Sequence, residues 1–207
     1  MKKISVAVLV SGGGTNLQAI IDAASAGIIR SAELRVVISD REGAYALTRA
    51  QNAGIEAVTL PKKRFRTHEE FEKELERQLD LRRIELIVLA GFTSILGKDF
   101  TDKYAERIIN VHPSLIPSFC GKGYYGLKVH EAALARGVKV SGATVHFVNE
   151  IPDGGRIIAQ KAVEVQPDDT PETLQKRVMR LAEWIILPQA VEKVAAHLLQ
   201  CKTQGDK

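Results

Sequence analysis

Apolar runs alternate with amphipathic stretches along most of this chain. Ile4 to Val10 is β-branched or apolar at nearly every position, the pattern of a strand covered on both faces in a parallel sheet. The Gly12-Gly13-Gly14 turn follows, and from Asn16 the residues Leu17, Ile20, Ile21 and Ala24 recur on one side of a helix that ends near Gly27. The unit then repeats. Leu34 to Ser39 predicts a strand, Ala44 to Ala53 a helix capped by Gly54, and Ala57 to Leu60 a short strand. From Glu69 to Arg82, Phe71, Leu75 and Leu79 stand four apart in a charged background, which predicts an amphipathic helix. Leu86 to Ala90 and Arg107 to Val111 predict two more buried strands, with a short helical piece over Thr101 to Glu106 between them.

This alternation predicts an α/β fold of three layers, with a mostly parallel, open, Rossmann-like sheet. Past residue 126 the order changes. A helix over Leu127 to Arg136 ends at Gly137, and two β-rich runs follow, Val138 to Val148 and Arg156 to Val165, separated by little more than Ile151-Pro152-Asp153-Gly154-Gly155. They are expected to pair as an antiparallel C-terminal extension of the sheet. Pro171 opens a final helix carrying Leu174, Val178 and Leu181, which Pro188 is expected to kink or interrupt.

Composition narrows the class. The 207 residues, 45% hydrophobic and 26% charged, predict one domain over residues 1–200 and a frayed, disordered polar tail over 201–207. The basic start before Ile4 briefly imitates a secretion signal, but the apolar run stops at Ser11-Gly12-Gly13-Gly14 with no cleavage pattern. No stretch approaches the ~20 apolar residues of a membrane span, so a cytoplasmic location without membrane partners is expected. Cys120 and Cys201 lack CxxC or Cys/His spacing, which argues against disulfides and structural zinc. The net charge of +4 is mild, and with 5% aromatics and no stacking motif nucleic acid is not an expected partner. Basic residues cluster only at Lys62-Lys63-Arg64-Phe65-Arg66, read as a solvated loop in preference to an anion site.

Three places could carry chemistry. Ser11-Gly12-Gly13-Gly14-Thr15-Asn16 lies where the first strand meets the first helix, and free N–H groups there suit a phosphate. It has neither dinucleotide GxGxxG spacing nor the Lys-[Ser/Thr] of a P-loop, so a monophosphate site is expected. Asn110 and His112 project to the same face at a strand's carboxyl end, where ligands collect in open α/β sheets. His can shuttle protons near neutral pH and an Asn amide can donate to an oxyanion, although a hydrogen-bonded structural His would also fit. Asp153 has a plain explanation as a turn residue. If the fold brings it to His112, it is expected to favour the imidazolium and raise its pKa. His146, alternating with Val145 and Phe147, either faces the same site or is a satisfied structural histidine.

Together and in this order, these segments resemble the phosphoribosylglycinamide formyltransferases. The matching runs are Val10-Ser11-Gly12-Gly13-Gly14-Thr15-Asn16-Leu17-Gln18, Leu89-Ala90-Gly91-Phe92, Ile109 to Pro117, Thr144-Val145-His146-Phe147-Val148 and Asp153-Gly154-Gly155. The resemblance implies formyl transfer from 10-formyltetrahydrofolate to the amine of glycinamide ribonucleotide, without a metal, in purine synthesis. It implies Asn110, His112 and Asp153 as the catalytic trio, and Gly14, Thr15, Asn16 and Glu183 at the ribonucleotide. It also implies Thr93, Ser94, Ile95, Leu96, Asn110, Asn149, Glu150, Ile151, Pro152, Asp153 and His68 around the folate. The chain departs from many such relatives in having Thr93-Ser94 for Met-Arg, His68 for an Arg, a longer Phe119 to Gly126 loop, and one more residue between Arg177 and Glu183. The alternatives are a formyltransferase for another amine, such as an amino sugar nucleotide, and a non-catalytic nucleotide- or folate-binding module.

Overall fold

The computed structural model describes residues 2–205. A seven-stranded sheet runs through it in the order β3-β2-β1-β4-β5-β6-β7. The strands are β1 (Ile4–Val10), β2 (Ala32–Ser39), β3 (Glu56–Thr59), β4 (Leu86–Leu89), β5 (Ile108–His112), β6 (Val140–Phe147) and β7 (Ile157–Glu164). β1 to β5 pair in parallel, while β6 lies antiparallel to both β5 and β7. The mostly parallel α/β sheet with an antiparallel extension is therefore the fold of this chain.

Alternate residues of the strands feed two cores. Val6, Val8 and Val10 of β1, with Leu86 and Val88 of β4, face the larger core, which also takes in Leu17, Ile20, Val178 and Leu187. Ala7, Leu9, Ile87 and Leu89 face the smaller one, with Phe71, Leu75 and Leu79. This two-sided burial is why the central strands read as continuous apolar runs. The helices are α1 (Thr15–Ser25), α2 (Tyr45–Asn52), α3 (His68–Leu81), α4 (Lys98–Lys103), α5 (Leu127–Arg136), α6 (Pro171–Val178) and α7 (Trp184–Gly205).

Three expectations are corrected. The short helix before β5 begins at Lys98, three residues ahead of Thr101, because it is anchored by Phe100 and Tyr104, whose rings lie tilted against each other 5.0 Å apart in the smaller core. The C-terminal helix is not interrupted at Pro188, which lies inside α7. The interruption is a wide π-helical turn over Met179–Glu183. This turn rotates the register, so Ala182 and Glu183 point inward while Leu181 is 46% exposed. The segment from Cys201, expected as a frayed tail, continues the helix through Gly205, and residues 206–207 lie outside the described residues.

The β-strand ends that matter share one edge of the sheet. The chain leaves β1 at Ser11, β2 at Asp40, β4 at Ala90 and β5 at Pro113, all on the carboxyl side, and strand order reverses across β1 and β4. The turn from β6 into β7 starts beside the amino-terminal half of β5, where Phe147 lies opposite Ile109, and folds back to bring Asp153 to His112. Phe147 N–H donates to Arg156 O at 2.9 Å, and the backbone passes so near that a Cβ on Gly155 would lie 1.7 Å from Phe147 O. Gly155→Ala is thus expected to lower stability by about 3 kcal/mol or more. An unchanged denaturant midpoint would contradict this close approach.

Candidate active site

Register alone assembles the first half of the site. In the β5–β6 ladder Asn110 lies opposite His146 and His112 opposite Thr144, so Asn110, His112 and His146 share one face. Asn110 Nδ2 donates to His146 Nε2 at 3.2 Å. The other ring nitrogen, Nδ1, donates to the Phe147 carbonyl at 2.7 Å. A carbonyl can only accept, so these two bonds assign the His146 tautomer. The second amide hydrogen of Asn110 remains free to donate.

Asp153 completes it from the β6–β7 turn, where it takes φ +56. One carboxylate oxygen lies 3.4 Å from His112 Nδ1 and the other 3.5 Å from His146 Nε2. The Gly121 N–H donates to Asp153 at 2.8 Å, and His112 Nε2 donates to the Phe119 carbonyl at 2.8 Å. The long Phe119 to Gly126 loop thereby covers the histidine with its backbone. His112 and His146 are 4% and 1% exposed.

The protonation of this cluster differs from the sequence expectation. Burial pushes the His112 imidazole below its ordinary range, and the Asp153 carboxylate opposes that shift without overcoming it. The resting His112 is therefore neutral near pH 7, with its proton on Nε2, and Nδ1 is the nitrogen left to take another. Burial works against ionisation of Asp153 too. Its carboxyl is nevertheless held below its usual range, by His146 and His112 as they take up protons and by the Gly121 N–H in every state. Behind them His130 of α5 is fully buried without a partner for either ring nitrogen, and burial, then His112, push it down to about 4.

A second group lies at the β1–α1 turn. Gly14 takes φ +72, and a Cβ there would meet Ala46 Cβ at 2.6 Å. Asn16 Nδ2 donates to Glu183 at 2.6 Å, bringing together two residues 167 apart in sequence. The π-turn places Glu183 here, 6% exposed. Burial raises its carboxyl to about 7, against the Asn16 amide, which lowers it. Arg177 is committed elsewhere, to Asp169.

The remaining residues form the rim. Thr93 N–H donates to Ser11 Oγ at 2.9 Å and Ser94 Oγ to Asp40 at 2.7 Å. Ile95 is exposed, whereas the Leu96 side chain is buried in the smaller core. His68 Nε2 lies 3.1 Å from Glu72, which accepts from Gly97 N–H at 2.5 Å, so His68 steadies the far end of the same loop. Asn149 caps its own turn by accepting from Ile151 N–H at 3.0 Å. Glu150 lies 3.5 Å from Lys98, and Ile151 and Pro152 are exposed. Lys63 and Arg64 of the basic cluster pair with Glu42, in line with a solvated loop. Among the described residues no group of three or more His, Cys, Asp or Glu is disposed to hold a metal ion.

Sequence reasoning left His146 undecided and overlooked Phe119 and Gly121, which act through backbone atoms and leave no side-chain signature. It also missed His130, whose apolar setting only packing reveals.

Residues 4–191 match the formyl transferase family. The chain is 42% identical over 192 residues to the phosphoribosylglycinamide formyltransferase of Haemophilus influenzae, covering 93% of this chain and 86% of that protein. It is 42% identical over 204 residues to the human trifunctional purine biosynthetic protein adenosine-3, covering 99% of this chain but only 20% of that protein's length. The crystal structure of glycinamide ribonucleotide transformylase 1 from Symbiobacterium toebii superposes with a TM-score of 0.88 at 39% identity, covering 94% of this chain and 89% of that one.

The Glu183 carboxyl gives a stability test. Its folded pKa of about 7 stands above the ordinary 4.5, so the folded protein keeps a proton that the unfolded chain releases. Stability is therefore lost as pH rises from about 4.5 to 7. Glu183→Gln is expected to be more resistant to denaturant than the parent at about pH 8 and nearly equal at about pH 4. The same pH dependence in both proteins would contradict the burial argument.

Proposed function

The chain belongs to the formyl transferase family, and on that premise we propose that it moves the formyl group of 10-formyltetrahydrofolate to the amine of 5'-phosphoribosylglycinamide. The products are formylglycinamide ribonucleotide and tetrahydrofolate, a step of purine synthesis. The observation that carries the reading is the convergence of Asn110 and His112 from β5 with Asp153 from the β6–β7 turn, at the carboxyl edge of the sheet.

The amine nitrogen of the nucleotide attacks the formyl carbon, and the carbonyl oxygen becomes an oxyanion. The free amide hydrogen of Asn110 donates to it. His112, neutral at rest, takes the proton that the attacking nitrogen sheds. The imidazolium so formed is stabilised by Asp153 at 3.4 Å and adds positive charge beside the oxyanion. The same proton then passes to the folate nitrogen as its bond to the formyl carbon breaks, so that a formamide and a secondary amine leave. Asp153 thus supports a cation that exists only during turnover, which reconciles its presence with the lowered pKa of the resting imidazole.

Substrate positions follow from the geometry around this centre. The N–H groups of Gly14, Thr15 and Asn16 suit the phosphate, and buried Glu183 with Asn16 suits the polar body of the nucleotide. The Thr93 to Leu96 loop and the Asn149 to Asp153 turn flank the centre on the folate side, with Leu96 serving through its backbone. Holding both substrates against one centre supplies the remaining rate advantage.

Product formation from purified protein, glycinamide ribonucleotide and 10-formyltetrahydrofolate is the direct test, with an amino sugar nucleotide as a parallel acceptor. Transfer only to the amino sugar would overturn the assignment. His112→Ala is expected to lower kcat by about 10² or more, and near-normal turnover would remove His112 from the mechanism. Asp153→Asn deletes the interaction that raises the His112 pKa. It should therefore move the acid limb of the pH–rate profile to lower pH while lowering the plateau. A limb shifted upward would contradict the neutral resting state.

A further inference from the structure

The glycine loop after β1 is gripped from behind by α2. Ala46 N–H donates to the Gly12 carbonyl at 3.1 Å, and Arg49 Nε donates to the Gly13 carbonyl at 2.8 Å. The same guanidinium donates through Nη1 to Gln18 Oε1 at 3.0 Å, on α1, and lies 4.9 Å from the centre of the Tyr45 ring. Arg49 therefore joins the loop, the helix that follows it and α2 through one rigid, planar group.

Peptide planarity turns this grip into a direction. In a trans unit the carbonyl and the following N–H point opposite ways. With the Gly12 and Gly13 carbonyls turned toward α2, the N–H groups of Gly13 and Gly14 are turned away from it. Those two N–H groups, and those of Thr15 and Asn16, have no acceptor among the described residues. Gly14 can take this pose because it has no Cβ to strike Ala46. Arg49 itself, half-buried, forms no ion pair with a carboxylate among the described residues. Both its acceptors are neutral oxygens, so the protein leaves its charge uncompensated directly behind four unclaimed donors.

We propose that Arg49 is a positioning residue for phosphate recognition: it sets the Gly13–Gly14 peptide so that the loop's N–H groups converge on the nucleotide phosphate, and it supplies positive charge from behind. This rests on the reading of the Gly14 to Asn16 turn as the phosphate end of the nucleotide site. Arg49 does not touch the reacting atoms. Its influence is confined to the phosphate-bearing substrate.

The test compares Arg49→Ala and Arg49→Lys with the parent, using glycinamide ribonucleotide, the phosphate-free glycinamide riboside and inorganic phosphate. Arg49→Ala is expected to raise the KM for the ribonucleotide and the inhibition constant of inorganic phosphate by about 10- to 100-fold. The KM for the folate and the affinity for the riboside should stay within about twofold. Arg49→Lys keeps the charge but can reach only one of the two acceptors, so it should fall between the parent and Arg49→Ala. It also answers the question if Arg49→Ala does not fold. Equal weakening of nucleotide and riboside, or an inhibition constant for phosphate that does not move, would overturn the proposal. Calorimetric titration with inorganic phosphate keeps the two readings separable. A parent protein that binds phosphate in an Arg49-dependent way but formylates nothing would sink the proposed function and leave the positioning role standing. A parent that binds no phosphate would end the latter.

Discussion

A carboxylate wedged between two buried imidazoles is the constraint on which the site depends. Asp153 lies within 3.5 Å of both His112 and His146, and every nearby element is arranged to hold it there. β6 must run antiparallel to β5 so that His146 comes opposite Asn110. The turn into β7 must double back closely enough that only Gly155 fits against the Phe147 carbonyl. The Phe119 to Gly126 loop contributes a carbonyl to His112 and an N–H to Asp153, satisfying polar atoms of the two side chains. The antiparallel extension, with its turn folded back, is therefore the means by which a parallel sheet acquires a carboxylate beside the histidine that ends β5.

At His112, His130 and Glu183 burial sets protonation more strongly than pairing does, whereas at Asp153 the pairing prevails. His112 faces a carboxylate and still titrates low, burial and then His112 push His130 down to about 4, and Glu183 titrates high despite a donor at 2.6 Å. The three shifts share a sign rule, since desolvation disfavours whichever form is charged. For the chemistry this means the centre starts with a neutral base beside an ionised acid. In the proposed mechanism positive charge appears there only while the substrate proton is in transit.

The two halves of the site use different physics. Around His112 the proposed chemistry is done by side chains, which the backbone secures. At the glycine loop the proposed ligand would meet backbone N–H groups, and α2 secures the loop from behind through the Ala46 N–H and the Arg49 side chain. The glycine loop and the His112 centre are built from different elements, so in the proposed function affinity can be gained at the phosphate without disturbing the carboxylate and imidazoles.

Much of this was legible in one dimension. Two-sided burial made β1, β4 and β5 readable as apolar runs, α5 was placed correctly over Leu127 to Arg136 with Gly137 at its end, and the same-face pairing of Asn110 with His112 follows from the period of a strand. The motif residues 11–16, 110–117 and 153–155 pointed to the family that the comparisons identify. Long-range geometry was out of reach. That Asp153 meets two histidines depends on the β5–β6–β7 register, that Glu183 turns inward to Asn16 depends on a π-turn, and that His112 rests neutral depends on how much water the Phe119 loop excludes. Periodicity and residue type are local properties and are written along the chain. Register across strands, winding of a helix and the depth of burial arise only when distant segments pack, and those decided the protonation and the pairing on which the site relies.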